Sequence, residues 1–197
     1  MKKVFLVPFC LISTIHLYSQ DDIENKTTVV INPKLGFSIL KLDNNQEING
    51  FTSQFEFCLN TKLNDKFSLE YGLGATSFRA NSNVTDSYIS IKNEYVRLPV
   101  RLNHNRLLNE NFTLNTGIGV YGNYLYKSKI PPYFEGNNTG ISLGVEFFVG
   151  GQFKFSEDTS LRIQIESQSD LTKVKKLDFS QKLSNTGLIS IGIIHNL

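Results

Sequence analysis

From Ile141 to Phe155 every second residue is Ile, Leu, Val, Phe, Val, Gly, Phe or Phe. Between them stand Ser142, Gly144, Glu146, Phe148, Gly150, Gln152 and Lys154. A strict period of two predicts a strand with one oily face and one small or polar face. The same texture recurs along the chain. A first strand is predicted over Val29 to Leu42, with Leu35, Phe37 and Ile39 on one face, and a second near Phe51 to Thr61, with Phe55, Phe57 and Leu59 opposite Gln54, Glu56 and Cys58. "KFSLEYGLGATSF", about Ser90 to Asn103, and "NFTLNTGIGVYGNYLY" follow. The opening stretch is the sixth strand, "SLRIQIESQS" the seventh and "TGLISIGIIHNL" the eighth. No convincing helix is predicted beyond the first twenty residues.

The connections alternate as the strands do. "KLNDK", "HNRLLNEN" and "SEDT" are compact, whereas "DNNQEIN", "RANSNVTDSY", "KSKIPPYFEGNN" and "LTKVKKLDFSQKLSN" are longer. An even number of strands with short turns on one rim and long loops on the other is the layout of an outer-membrane barrel. The predicted fold is therefore all-β, an eight-stranded antiparallel up-and-down transmembrane β-barrel. Strand four breaks the alternation, because Ile89 and Ile91 are odd-numbered while Val96, Leu98, Val100 and Leu102 are even. One residue absorbed near Asn93 to Tyr95 by a β-bulge accounts for the slip. Pro99 in the same strand cannot donate to a ladder and adds a local irregularity.

Alternation alone does not separate a membrane barrel from a soluble carrier, which turns its oily side inward. Three features favour oily-side-out. The polar face is rich in Gly, Ser, Thr and Asn, which suit a narrow lumen. The strands reach the roughly 9 to 11 residues that cross a bilayer at a tilt. Phe67, Phe78, Phe112, Tyr124, Tyr126, Phe153 and Phe155 stand near strand ends, where aromatic girdles form.

The start of the chain reads differently. Lys2 and Lys3 precede an apolar run from Val4 to about Leu17, and Ser19 stands near its end. This is the pattern of a secretory signal peptide, predicted over residues 1–19, with residues 20–197 forming the barrel domain. The chain holds 20 Lys and Arg against 18 Asp and Glu. Loss of Lys2 and Lys3 brings these into balance, which argues against a nucleic-acid partner. Cys10 leaves with the leader, so Cys58 has no disulfide partner and reads as a small lumen-facing filler.

Several features together resemble a known family. They are the leader ending in "YSQ", the "YVRLPVRL" stretch from Tyr95 to Leu102, the Gly-alternating strands and the terminal "GLISIGIIHNL". The chain resembles the PorT-like outer-membrane β-barrel proteins of Bacteroidetes over essentially its whole mature length. Leu197 departs from the terminal aromatic residue of many barrels. The resemblance implies outer-membrane placement, and some members belong to a protein-secretion apparatus.

Strand parity assigns Glu56, Glu70, Arg97, Arg101, Glu146, Lys154, Arg162 and Glu166 to the lumen. Four acids against four bases read as a structural ion-pair network in a filled interior. The alternatives are a narrow pore or a lipid-modifying enzyme using His104 or His195. No metal-ligand spacing, phosphate loop or nucleotide fingerprint appears, and "GIGVYG" lies within a strand and opens no helix. No catalytic residue, cofactor or metal is expected. The expected partners are outer-membrane lipids and lipopolysaccharide, with an envelope protein partner met through the external loops. Pro131, Pro132, Tyr133 and Phe134, and Lys173, Lys175, Lys176 and Lys182, mark the two longest of those loops.

Overall fold

The computed structural model describes residues 27–42, 46–84, 87–130, 134–136, 139–176 and 179–197. The predicted signal segment, residues 1–19, lies outside the described residues, as do Pro131, Pro132 and Tyr133. Ten strands follow one another: β1 (Thr27–Leu42), β2 (Glu47–Lys62), β3 (Phe67–Val84), β4 (Ser87–Asn109), β5 (Phe112–Ile130), β6 (Phe134–Gly136), β7 (Gly140–Lys154), β8 (Thr159–Asp170), β9 (Val174–Lys176) and β10 (Phe179–Asn196). Strands β1 to β5, β7, β8 and β10 are the eight staves, each antiparallel to its neighbours, and β10 pairs with β1 to close the ring. β6 and β9 are short additions, paired to β5 and β10. No described residue is helical.

The registers define the shape. Thr27 pairs with Thr61, and the path continues through Leu69, Leu102, Ile118, Phe147, Ser167 and Gly187 to Phe37. One circuit thus returns to β1 ten residues further along. With eight staves that stagger inclines the strands by about 40° to the barrel axis and leaves an interior just wide enough for side chains to fill.

The oily face is outside. Phe55, Leu143 and Ile163 are 54%, 55% and 50% exposed, while Glu70 and Gln164 are 0% and 3% exposed. This excludes the soluble carrier, whose apolar face would be buried. The apolar band on β7 runs from Ile141 to Phe153. Twelve steps of about 3.3 Å on so inclined a strand rise about 30 Å, the thickness of a hydrocarbon core. Aromatic rings line its edges: Phe37 meets Phe51 edge-on at 6.0 Å, and Phe153 meets Phe155 at 5.3 Å. Phe67, Tyr124 and Tyr126 also face outward, and Phe112 is half-buried. Phe78 is a correction: it is fully buried inside the barrel and belongs to no girdle.

The compact turns use side-chain oxygens to accept the freed backbone N–H groups. Asn64 Oδ1 accepts from the amides of Lys66 and Phe67, and Asn109 Oδ1 from those of Asn111 and Phe112. On the opposite rim the staves run further than the pattern predicts. "RANSNVTDSY" is mostly strand, since β3 continues to Val84 and pairs there with Ser87 of β4. β4 is 23 residues long, far beyond what a bilayer requires. The barrel wall therefore projects past the apolar band on the long-loop side.

The expected bulge in β4 is also corrected. Its inward residues are odd-numbered without a break, from Ile91 through Asn93, Tyr95, Arg97 and Pro99 to Arg101. The extra residue lies across the ladder in β5: Glu94 pairs with Lys127 and Tyr95 with Leu125, leaving Tyr126 over. Another register shift, on β10 near Asn185, lets that asparagine adopt φ 49°, a left-handed conformation that Asn tolerates better than most residues. Pro99 does mark an irregularity. The β3–β4 ladder is interrupted opposite it, between the Tyr71–Val100 and Gly74–Arg97 pairs.

Candidate functional site: the filled interior and the outer rim

Within the apolar band the barrel interior is polar and ionic. Arg101, on β4, is its hub. Its Nε donates to Glu146 Oε1 at 2.8 Å, its Nη1 to Glu70 Oε1 at 2.8 Å and its Nη2 to Glu56 Oε2 at 2.6 Å. Arg97, further along the same inward face, donates from Nε to Glu56 at 3.0 Å and from Nη2 to Glu146 at 2.6 Å. Arg162 on β8 closes the other side through Glu70, at 2.6 and 3.2 Å. Lys34 Nζ on β1 bridges Glu56 at 2.8 Å and Glu166 at 2.7 Å. Gln168 completes the set, its Nε2 donating to Glu146 and Glu166 at 3.2 and 3.1 Å.

Seven of the eight residues assigned to the lumen by parity, Glu56, Glu70, Arg97, Arg101, Glu146, Arg162 and Glu166, meet in this cluster. Lys154 does not. It is the last residue of β7, opposite Ser160 at the compact-turn rim, and its side chain is exposed. Parity gives a side chain's direction but not its height, and at this height there is water to solvate an ammonium. Lys34 takes its place as the fourth cation, so the cluster still balances four carboxylates with four bases. The signal for Lys34 is present in the sequence: it is even-numbered in a strand whose Leu35 and Phe37 point out. Asp170, at the end of β8, is a second kind of buried acid beyond the expected set. It accepts from the Leu183 amide at 3.1 Å and from Ser142 Oγ at 3.1 Å.

Two glycines make this density possible. A Cβ at Gly119 would lie 2.8 Å from Glu146 Oε1 and 2.9 Å from Arg101 Cγ, inside the network itself. A Cβ at Gly144 would collide with the Tyr121 ring, which lies across from it on β5. That ring in turn carries the Arg97 guanidinium 3.5 Å above its centre, a cation–π contact that helps hold the arginine in place.

Toward the long-loop rim the interior changes character. Leu40, Leu42, Phe78, Ala80, Ile91, Tyr95, Leu125, Val174 and Leu183 form a buried apolar cluster. Val174 comes from β9, so the connection between β8 and β10 folds inward; the Leu171 amide donates to the Leu143 carbonyl at 2.7 Å. Below, near the other mouth, Cys58 packs with Val30 and Ile194 as a small apolar filler.

Outside this apolar section the wall is predominantly cationic, with Glu47 bonded to Lys41 at 2.6 Å and Glu94 to Lys92. On β1, β3, β4 and β5 the apolar or aromatic outward residues give way toward the long-loop rim to Lys41, Arg79, Lys92, and Lys127 with Lys129. Lys182 pairs across from Lys41. The compact-turn rim is mixed, with Lys62 bonded to Asp65 at 2.8 Å; that hydrogen bond holds the Asp65 carboxyl below its ordinary value.

The two described histidines stand on opposite walls, His104 on β4 against the Phe67 ring and His195 on β10 within 3.2 Å of Thr159 Oγ1. They share no site. Among the described residues no group of three or more His, Cys, Asp and Glu is placed to hold a metal ion.

No protein-family profile matches the chain, and no curated protein matches it in sequence. Solved structures do. Neisserial surface protein A is similar with a TM-score of 0.55 at 11% identity, covering 86% of this chain and 97% of its own. A major outer membrane protein from Thermus thermophilus gives 0.53 at 11% identity, covering 87% and 99%. The N-terminal barrel domain of Pseudomonas aeruginosa OprF gives 0.51 at 9%, covering 88% and 98%. At such identities the likeness is one of fold. The protein has the closed eight-stranded antiparallel architecture of small transmembrane outer-membrane barrels.

Proposed function

We propose that this is an exported, non-enzymatic integral outer-membrane protein of the PorT-like kind, acting in the envelope by interaction and not by conduction. One observation carries the reading. The lumen holds a charge-balanced cluster of buried side chains at mid-barrel and a buried apolar cluster beneath the long-loop rim, the interior of a filled barrel. An acid–base reaction asks for a substrate cleft beside the acids, whereas Glu56, Glu70 and Glu146 are sealed from solvent and held by arginines. The surface left for function is the wall that projects beyond the apolar band. There the protein meets outer-membrane lipids, lipopolysaccharide and an envelope protein partner, the last in keeping with a place in protein secretion.

Two measurements test this together. Fractionated cells should carry the protein in the detergent-extracted outer membrane, and it should migrate differently on a gel before and after boiling. Reconstituted in planar bilayers it should show no sustained single-channel conductance. Recovery in soluble periplasmic extract, or steady conductance from the wild-type protein, refutes the reading.

A further inference from the structure

We infer that the outer wall of β3 and β4, at Arg79 and Lys92, is a binding site for the phosphate group of an outer-leaflet glycolipid. The inference deepens the outer-membrane reading and rests on it. Arg79 and Lys92 are directly opposed across the β3–β4 ladder, and Lys92 is in turn opposed by Lys129 on β5. Like charges facing each other across a sheet repel, so a row of three favours an anion beside it. The described acids nearby do not suffice. Glu94 is ion-paired to Lys92 and lies 4.0 Å from Lys127. Glu135 on β6 is the register partner of Lys129, so the four cations Arg79, Lys92, Lys127 and Lys129 are set against two acids. Arg79 has no ion-pair partner among the described residues.

Two further observations fix the class of anion. The cations stand at the height where the outward residues stop being apolar, one strand away from the Phe37–Phe51 ring pair. Phe51 is itself directly opposite Arg79. A ligand here has a phosphate beside a hydrocarbon chain, which describes a lipid and not a free ion. An open groove of about 660 Å³ joins these parts, bordered by Phe37, Asn49, Phe51, Arg79, Ser90 and Lys92. Asn49 and Ser90 add uncharged hydrogen-bonding groups suited to a sugar. The opposite rim lacks the asymmetry, since Lys62, Lys66, Arg106 and Lys154 are matched there by Asp65, Glu110, Glu157 and Asp158. An anionic outer leaflet explains an excess of cations on one rim only.

The test uses the full chain in nanodiscs, challenged with diphosphorylated lipid A and with the same glycolipid after enzymatic removal of its phosphates. Retained lipid is read by native mass spectrometry. The wild-type protein should retain the phosphorylated form, and R79Q/K92Q should retain on the order of tenfold less, from the worth of two cations near an anionic surface. K62Q/K66Q on the other rim should retain as much as wild type. Equal retention of the dephosphorylated glycolipid, or an unchanged R79Q/K92Q, overturns the site. So does complete displacement by millimolar inorganic phosphate, which would mean that the acyl chain contributes nothing. Outer-membrane placement fails on fractionation and the heat shift, the site on phosphate dependence alone, so the two failures are distinguishable.

Discussion

The mid-barrel section and the section just beneath the long-loop rim share staves, β1, β3, β4, β5 and β10 among them, yet their faces are inverted. At mid-barrel Leu98 and Phe147 point out, 58% and 57% exposed, and Arg97 and Glu146 point in. A few residues further along, Lys92 and Arg79 point out while Ile91, Phe78 and Ala80 point in. The solvent outside the wall decides which arrangement is stable. Hydrocarbon accepts apolar side chains and leaves polar ones to be satisfied within the lumen. Water accepts polar side chains and drives apolar ones together inside. A single β-strand can serve both media because its side chains alternate strictly, so the inversion needs only a change in which parity is apolar.

The ionic section is most vulnerable at its hub. Arg101→Met takes one shared base from three carboxylates, Glu56, Glu70 and Glu146, and leaves a sealed lumen one positive charge short. Breaking a buried pair costs about 3–5 kcal/mol, and this change should reach at least the top of that range, read as a lower urea midpoint for unfolding from lipid vesicles. In the apolar section Phe78→Ala opens a cavity beneath the rim and should cost about 3–4 kcal/mol by the same measurement. Gly50, whose missing side chain leaves room for the Phe78 ring, offers little to collapse into the space.

The outward face distinguishes the two sections next. Leu98→Arg places a charge in the hydrocarbon and should cost about 2–3 kcal/mol. Ser90→Arg, on the same strand but outside the apolar band, should change stability by less than about 0.5 kcal/mol. Equal costs at the two sites would show that the membrane boundary does not fall between them. The smallest effect concerns the residue that parity misplaces. Lys154→Gln should leave the unfolding midpoint within about 0.5 kcal/mol of wild type, whereas Lys34→Met should be severely destabilising because it frees Glu166 and Glu56 of their ammonium.

The same inversion explains which expectations from the sequence hold and which do not. Alternation reads correctly the eight staves and the two faces of each, because period two is a local property that survives any packing; the small polar face, the strand lengths and the aromatic strand ends are what tell which face is outside. It also places Arg97, Arg101 and Glu146 in the lumen. The apparent slip in strand four arises from reading all apolar residues as one face. Ile91 and Val96 are both apolar and face opposite ways, since one lies in the water-bathed section and the other in the lipid-bathed one. Phe78 reads as a girdle residue for the same reason: an aromatic near a strand end looks identical in the sequence whether it caps the membrane or fills the mouth.

Local pattern therefore determined the strands, their sidedness within the membrane and the kinds of side chain available to the interior. Tertiary closure decided the rest: that Lys34 and not Lys154 joins the cluster, that the extra residue sits at Tyr126, and that Val174 turns inward. Each of these depends on axial height and on a neighbour across the ring. Height is set by the ten-residue stagger of the closed sheet, a sum over all eight registers that no single segment contains.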